Sequence, residues 1–315
     1  MPSSPVPSSL VPGPVLTRDL VAAGYTYDEL SRLTRRGELI HLRRGAYAWA
    51  GTLKSDDHGA ERHRRLVAAT VPLLAADAVV SHVSAAVLHG LPVWSDRLQR
   101  VGVTRPDASS GKRRGHLHVR AAPLTPAEIV DLGGSRVTSL ARTVADLGRE
   151  LPFEQAVTAC DAALRAGSTE AELTLAVEAA QGWPGAPAAR RVVNFGDGRS
   201  ESPGESLSRV AFARLGLPAP ALQFEVYDDF GRLVGRTDFG WEEQRTLGEF
   251  DGKVKYGRLL RPGQLSEDVV YQEKRREDAL RDLGWQVVRW SWADLKDAAT
   301  IADRLRRAFS RTGLR

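Results

Sequence analysis

The chain has 315 residues, 42% hydrophobic and 26% charged, enough for two or three domains with ample core. A single cysteine, Cys160, excludes an internal disulfide and a zinc site built of cysteines. No apolar run nears the roughly 18 residues of a membrane span, so no membrane partner is expected, and the cysteine poverty fits a reducing cytoplasm. The net charge of +5, carried mostly by arginine, admits nucleic acid as a partner and favours bidentate contacts to phosphates or bases.

The opening Met-Pro-Ser-Ser-Pro-Val-Pro lacks the basic and apolar regions of a signal peptide and reads as a disordered tail over residues 1–15. Residues 16–56 form a first section. Thr17 is placed to cap a short helix ending at Gly24. Thr26 or Tyr27 opens a second helix over 28–36, whose Leu30 and Leu33 make an apolar stripe at helical spacing. After Gly37 the pattern alternates to Trp49 and turns at Arg44-Gly45, as a two-stranded ribbon does. Helix, turn, helix and ribbon is the order of a winged helix-turn-helix. Arg32, Arg35 and Arg36 lie off the leucine stripe, where a recognition helix offers side chains to the major groove, and Arg43 and Arg44 lie on the wing, within reach of phosphates. The plainer alternative is a solvated basic helix and hairpin.

A mixed α/β middle section spans 57–195. Helices are expected over 62–75, 81–89, 139–148, 153–166 and 170–180, with strands over 98–103 and 116–121 flanking a basic turn, Gly111-Lys-Arg-Arg-Gly115. His82 and His89 share a helix face, but with no third ligand near them they read as capping or core residues. The run Gln181-Gly-Trp-Pro-Gly-Ala-Pro187 breaks helices, and Asn194-Phe-Gly-Asp-Gly-Arg-Ser200 marks a domain boundary.

The third section, 196–315, is read as a helix through Leu215, three strands, a long polar helix over 266–283, a strand over 285–290 and a terminal helix over 297–309. Its chemistry sits in Arg236-Thr-Asp-Phe-Gly-Trp241 and Leu247-Gly-Glu-Phe-Asp-Gly-Lys253. In an extended strand Glu249, Asp251 and Lys253 project from one face. The turn Glu242-Glu243-Gln244 folds this strand back and brings Asp238 within a residue or two of Glu249. Carboxylates and a lysine converging on a strand pair suit a divalent cation that polarises a phosphodiester.

These residues carry a resemblance. With Glu205-Ser206, Gly216-Leu-Pro218, Gln223, Glu273, Arg276, Leu280, Gly284, Trp285 and Arg289, the last 115 residues or so resemble the Vsr-like branch of the PD-(D/E)XK nucleases. The resemblance implies a restriction-endonuclease-like α/β domain, Mg²⁺ or Mn²⁺ on Asp238 and an acid of the following strand, and a further carboxylate from Glu205. Two registers stay open. In one, Asp238, Asp251 and Lys253 form the set. In the other, which is preferred because resembling proteins keep Glu-x-Asp-Gly, Glu249 is the acid, Asp251 stands where lysine is usual, and Lys253 or Lys255 reaches in. The earlier sections, through Gly37–Tyr47, Ser81–Gly90 and Val137–Leu147, resemble AbiEi-type antitoxins and regulators, which implies DNA binding, autoregulation and a cognate toxin as partner.

The fold expected is therefore α/β multidomain: a winged helix-turn-helix, a mixed α/β middle domain and a restriction-endonuclease-like domain. The leading expectation is a DNA-binding protein with a Mg²⁺-dependent endonuclease-like domain. Its rivals are a non-enzymatic, antitoxin-like repressor with a degenerate nuclease fold, and a toxin-binding protein that needs no DNA.

Overall fold

A computed structural model describes residues 13–53, 59–252 and 266–312. They form a mixed α/β, multi-sheet protein in two compact units: residues 1–151 with 168–193, and residues 152–167 with 194–315.

Unit 1 opens with strand β1 (Val15–Leu16), α1 (Thr17–Ala22), α2 (Tyr27–Arg35), β2 (Leu39–Arg43) and β3 (Ala46–Trp49), with sheet order β1-β3-β2. Strand β1 was not expected, and Leu16 rather than Thr17 stands at the N-cap of α1, because the backbone extends to pair with β3 before it coils. A capping box starts α2: the Thr26 hydroxyl accepts from Glu29 N at 3.2 Å and Glu29 Oε2 accepts from Thr26 N at 2.8 Å. Leu20, Leu30 and Leu39 form its small core, flanked by Tyr25, Leu33, Tyr47 and Trp49.

The unit continues through α3 (Ala60–Thr70), β4 (Val79–Val80), α4 (His82–Leu88), β5 (Val101–Arg105), β6 (Lys112–Arg114), β7 (Leu117–Ala121), β8 (Ile129–Leu132), β9 (Ser135–Thr138) and α5 (Leu140–Glu150). Sheet order is β6-β7-β5-β4-β9-β8. The basic turn expected between two strands is not formed. β5 and β7 run parallel, and Lys112–Arg114 is itself a strand, antiparallel to β7. The first four residues of β5 are buried without alternation, as in a strand covered on both faces. Val80, Val101, Val103 and Val137 pack with Leu42, Leu66 and Val67 in one core. After α6 (Phe153–Arg165), which groups with unit 2, α7 (Glu170–Ala179) returns to unit 1, where Val177 packs with Ala145 and Ala189, the last from α8 (Ala186–Phe195).

Unit 2 combines α6 with α9 (Pro203–Arg214), β10 (Ala221–Tyr227), β11 (Leu233–Trp241), β12 (Thr246–Asp251), α10 (Ser266–Asp282), β13 (Gln286–Ser291), α11 (Trp292–Leu295) and α12 (Ala298–Thr312). The sheet is β10-β11-β12-β13, antiparallel except for the parallel pair β12–β13. Alternation divides its side chains between two layers. Phe239, Trp241, Phe250 and Trp290 pack with Phe212, Ile301 and Leu305 of α9 and α12. Val226, Leu247 and Trp285 pack with Leu280 of α10 on the other face. Gly204 opens α9 against the Phe250 ring, where a Cβ would come within 2.0 Å of the ring.

Among the described residues no helix is long and apolar enough to cross a membrane.

Candidate functional site

Helix α2 follows its capping box with Leu30 turned into the core and a polar face outward. Arg32 is 59% exposed and 3.9 Å from Glu29, and Arg36, just past the helix end, is 71% exposed and 3.9 Å from Glu38. Such loose, solvated pairs hold a guanidinium weakly. Arg35 is exposed and donates from Nε to Ser31 O at 3.4 Å. Tyr27, for which the sequence held no functional signal, stands 70% exposed in the first turn. The N-terminal residues of a recognition helix are those that meet base edges.

The wing arginines part company. Arg43 turns inward: Nε donates to Ala69 O at the end of α3 at 3.2 Å, Nη2 donates to the same carbonyl, and Nη1 donates to Arg44 O at 2.7 Å. Burial pushes its pKa down. The guanidinium therefore braces the wing against α3. Arg44, at the turn with Gly45 (φ 79°), is exposed. Four of the five expected arginines thus face solvent, and Arg43 serves the scaffold.

In unit 2 the register Phe239↔Gly248 puts Asp238 and Glu249 one residue further along on neighbouring strands. Alternation turns both away from Phe239 and Phe250, toward the face that α10 covers, and Asp251 shares that face. Two helix or strand neighbours then take hold of Glu249. Arg276 of α10 donates from Nη2 to Oε1 at 2.5 Å, and Arg289, its register partner on β13, donates from Nε to Oε2 at 2.7 Å. Arg289 also reaches Glu277 at 3.1 Å. Asp238 Oδ2 accepts from Phe250 N at 2.7 Å, which ties it to the backbone of the neighbouring strand.

Glu205 is 6% exposed, and its carboxylate works as a cap. Oε2 accepts from Glu201 N at 2.8 Å and Gln223 Nε2 at 3.0 Å, and Oε1 accepts from Ser202 Oγ at 2.7 Å. Lys253, and with it Lys255, lies outside the described residues. Among the described residues no three His, Cys, Asp or Glu side chains are grouped to hold a metal. Asp238, Glu249 and Asp251 do share a face, but two guanidinium groups hold both oxygens of Glu249. As placed, this donor set does not fit a divalent cation, because the cation would have to displace charge-assisted bonds from like charges.

His82 and His89 do not pair. His89 Nε2 lies 2.7 Å from Thr138 O, whereas His82 bonds Ser81, as expected of core residues rather than ligands.

Residues 9–49 match the family AbiEi_4, described as a transcriptional regulator, AbiEi antitoxin. The match covers the winged module from β1 through β3. The chain is also similar to two uncharacterized proteins of Mycobacterium tuberculosis, MT2308 and Rv2248, each 32% identical over 188 residues, or 58% of this chain and 66% of theirs. The chain thus spans just under two thirds of the length of these relatives. Over residues 9–49 the chain is thus similar to AbiEi-type regulator domains.

Proposed function

We propose that this protein is a DNA-binding regulator of the antitoxin type, in which α2 enters the major groove and the wing turn meets the backbone. The single observation behind it is the capped, amphipathic α2 with Tyr27, Arg32 and Arg35 exposed beside a wing that carries Arg44 outward. Arg32, Arg35 and Arg36 contact DNA from the helix, and Arg44 contacts a phosphate. A toxin protein is the partner that the antitoxin-type domain brings with it, and the cytoplasm is where both would meet DNA.

Fluorescence anisotropy with a duplex from upstream of the protein's own gene tests this reading. Affinity should fall steeply with salt, and Arg44→Gln should reduce the slope of log K against log salt by about one. Arg43→Gln should lower the melting temperature and leave that slope in place, since its guanidinium faces Ala69 O. Affinity that ignores salt would overturn the reading.

A second reading rests on one specific placement, the side-by-side Asp238 and Glu249. If Arg276 and Arg289 release Glu249, the pair and Asp251 would be ligands for Mg²⁺ or Mn²⁺, and the domain would be an endonuclease. In that case Mn²⁺ raises the melting temperature of the wild type and not of Asp238→Asn. Supercoiled DNA incubated with Mn²⁺ is cut by the wild type and not by Glu249→Ala. Intact DNA and a melting temperature indifferent to metal rule this reading out.

A further inference from the structure

Unit 1 holds a second constellation that the winged module does not use. It begins at the junction of β4 and α4, where His82 adopts a left-handed backbone, φ 55°, without being glycine. Such a residue costs of order 1–3 kcal/mol and persists where its surroundings hold it. His82 is 3% exposed. A short relay meets its ring: Thr104 Oγ1 donates to Ser81 Oγ at 2.8 Å, and Ser81 Oγ lies 2.9 Å from His82 Nδ1. The other ring nitrogen, Nε2, is buried without a hydrogen bond, and the carboxylate nearest to it, Glu150 Oε1, stands 3.4 Å away.

Arg142, on α5, is 2% exposed and repeats the pattern. Its Nε donates to Asp146 Oδ2 at 3.2 Å, and Nη1 donates to Glu128 Oε1 at 2.9 Å and Pro123 O at 3.1 Å. Nη2 has no partner. Asp146, fully buried, also accepts from Arg149 Nη1 at 3.1 Å. Arg120 grips Glu150 with two donors. Both acids are thus held by arginines. Burial pushes the Glu150 pKa up, but His82 and Arg120 outweigh it and keep the carboxylate ionised well below the usual range.

All of these side chains line one cleft of about 470 Å³, with Lys112, Arg113 and His118 from β6 and β7. Five cationic side chains face two carboxylates there. His118 adds no charge near neutrality, since burial and then Arg120 and Arg113 press its pKa to about 4. Two buried nitrogens without a hydrogen bond, Arg142 Nη2 and His82 Nε2, therefore belong to residues that line a positive cleft. An unmet buried donor costs about 1–3 kcal/mol, and an anion removes that cost. The two nitrogens come from different elements, α4 and α5, with Lys112 and Arg113 on the rim. That spread suits a tetrahedral dianion better than a planar carboxylate. No Phe, Tyr or Trp lines the cleft.

We propose that this cleft binds the phosphate monoester of a small polar metabolite, with Arg142 Nη2 and His82 Nε2 donating to the phosphoryl oxygens and Lys112 and Arg113 closing over the charge. The volume is that of an ordinary small-molecule site. None of its lining residues belongs to the wing.

Calorimetric titration of the full chain with inorganic phosphate and with ribose 5-phosphate, at constant ionic strength against a chloride control, tests the proposal. One saturable site is expected, with the sugar phosphate bound more tightly. Arg113→Gln, at an exposed position that leaves the fold intact, should weaken binding by about tenfold, as loss of a charge-assisted contact does. Arg142→Lys keeps the charge and removes Nη2, and should weaken it at least as much. Arg44→Gln on the wing should leave it unchanged, so failure of the duplex reading and failure of this site are read separately. Heats no larger than those of chloride would overturn the proposal, as would equal affinity in wild type and Arg113→Gln. A short duplex that Arg113→Gln weakens, with no small phosphate bound, would also overturn it and assign the cleft to nucleic-acid backbone.

Discussion

Asp146 and Glu249 are each an acid gripped by two arginines, one in each unit, yet their surroundings differ in kind. Asp146 is fully buried, between Arg142 at 2% side-chain exposure and Arg149 at 14%. Around it Arg142 Nη2 and His82 Nε2 are left without a hydrogen bond. Glu249 sits in a half-open setting, between Arg276 at 25% and Arg289 at 34%, and there the acceptors are the groups fully engaged. An unmet buried donor calls for an anion; an acid already neutralised by arginines resists a cation. The same pairing motif thus leaves nitrogens without a hydrogen bond in one unit and occupies both carboxylate oxygens in the other.

The sharpest way to break this comparison is to remove the two acids in turn. Asp146→Ala leaves the buried Arg142 with Glu128 as its remaining acidic partner, and the expected loss is about 3–5 kcal/mol in urea denaturation. A loss under about 1 kcal/mol would mean that the cluster is solvated and the contrast false.

Acid should divide the units next. All seven histidines lie between His41 and His118, in unit 1. His63 is fully buried, 3.0 Å from Leu98 O and 2.8 Å from Ser84 Oγ, and burial presses its pKa to about 4. The folded state keeps it neutral while the unfolded chain takes up a proton below about 6.5. Its contribution is therefore present above pH 6.5 and lost as pH falls toward 4, a change of about 3 kcal/mol. In calorimetry the unit 1 transition should move down over this window while that of unit 2 holds. Depressed carboxylates in unit 2, such as Asp197, lose their contribution only below the ordinary carboxylate range. His63→Gln should flatten the slope of unit 1, and parallel movement of both transitions would contradict this account.

The smallest effect expected is that of Glu249→Gln. Its pairs are partly exposed, and screening limits the loss to about 1 kcal/mol. A loss rivalling that of Asp146→Ala would place Glu249 in a buried network and erase the difference between the sites.

Features with short sequence reach were legible. Thr26 and Glu29 stand three apart, and the helix start read at Thr26 or Tyr27 falls on the capping box that they form. Alternation and a turn of a few residues were enough to put Asp238 beside Glu249. Features set by distant chain were not legible. Arg43 meets Ala69, 26 residues on, and from sequence it cannot be told from Arg44. The partners of Glu249 stand 27 and 40 residues away, so the carboxylate read as open before α10 and β13 were in place. The cleft draws on α4, β6, β7 and α5, and its buried arginine looks in sequence like any helix-surface charge. The parallel β5–β7 pair misled for another reason: a basic segment between two strands resembles a turn until Lys112–Arg114 is itself seen to pair.

Between residues 151 and 194 the chain passes from unit 1 to unit 2, back again and out once more. Neither unit is therefore a single stretch that scissors at one point can free. A fragment beginning at residue 196, the boundary read from sequence, would carry Arg209 without Asp161, its partner at 2.8 Å on α6. During synthesis α6 leaves the ribosome before α7 and α8, and must wait for α9 to emerge while the last segment of unit 1 is made.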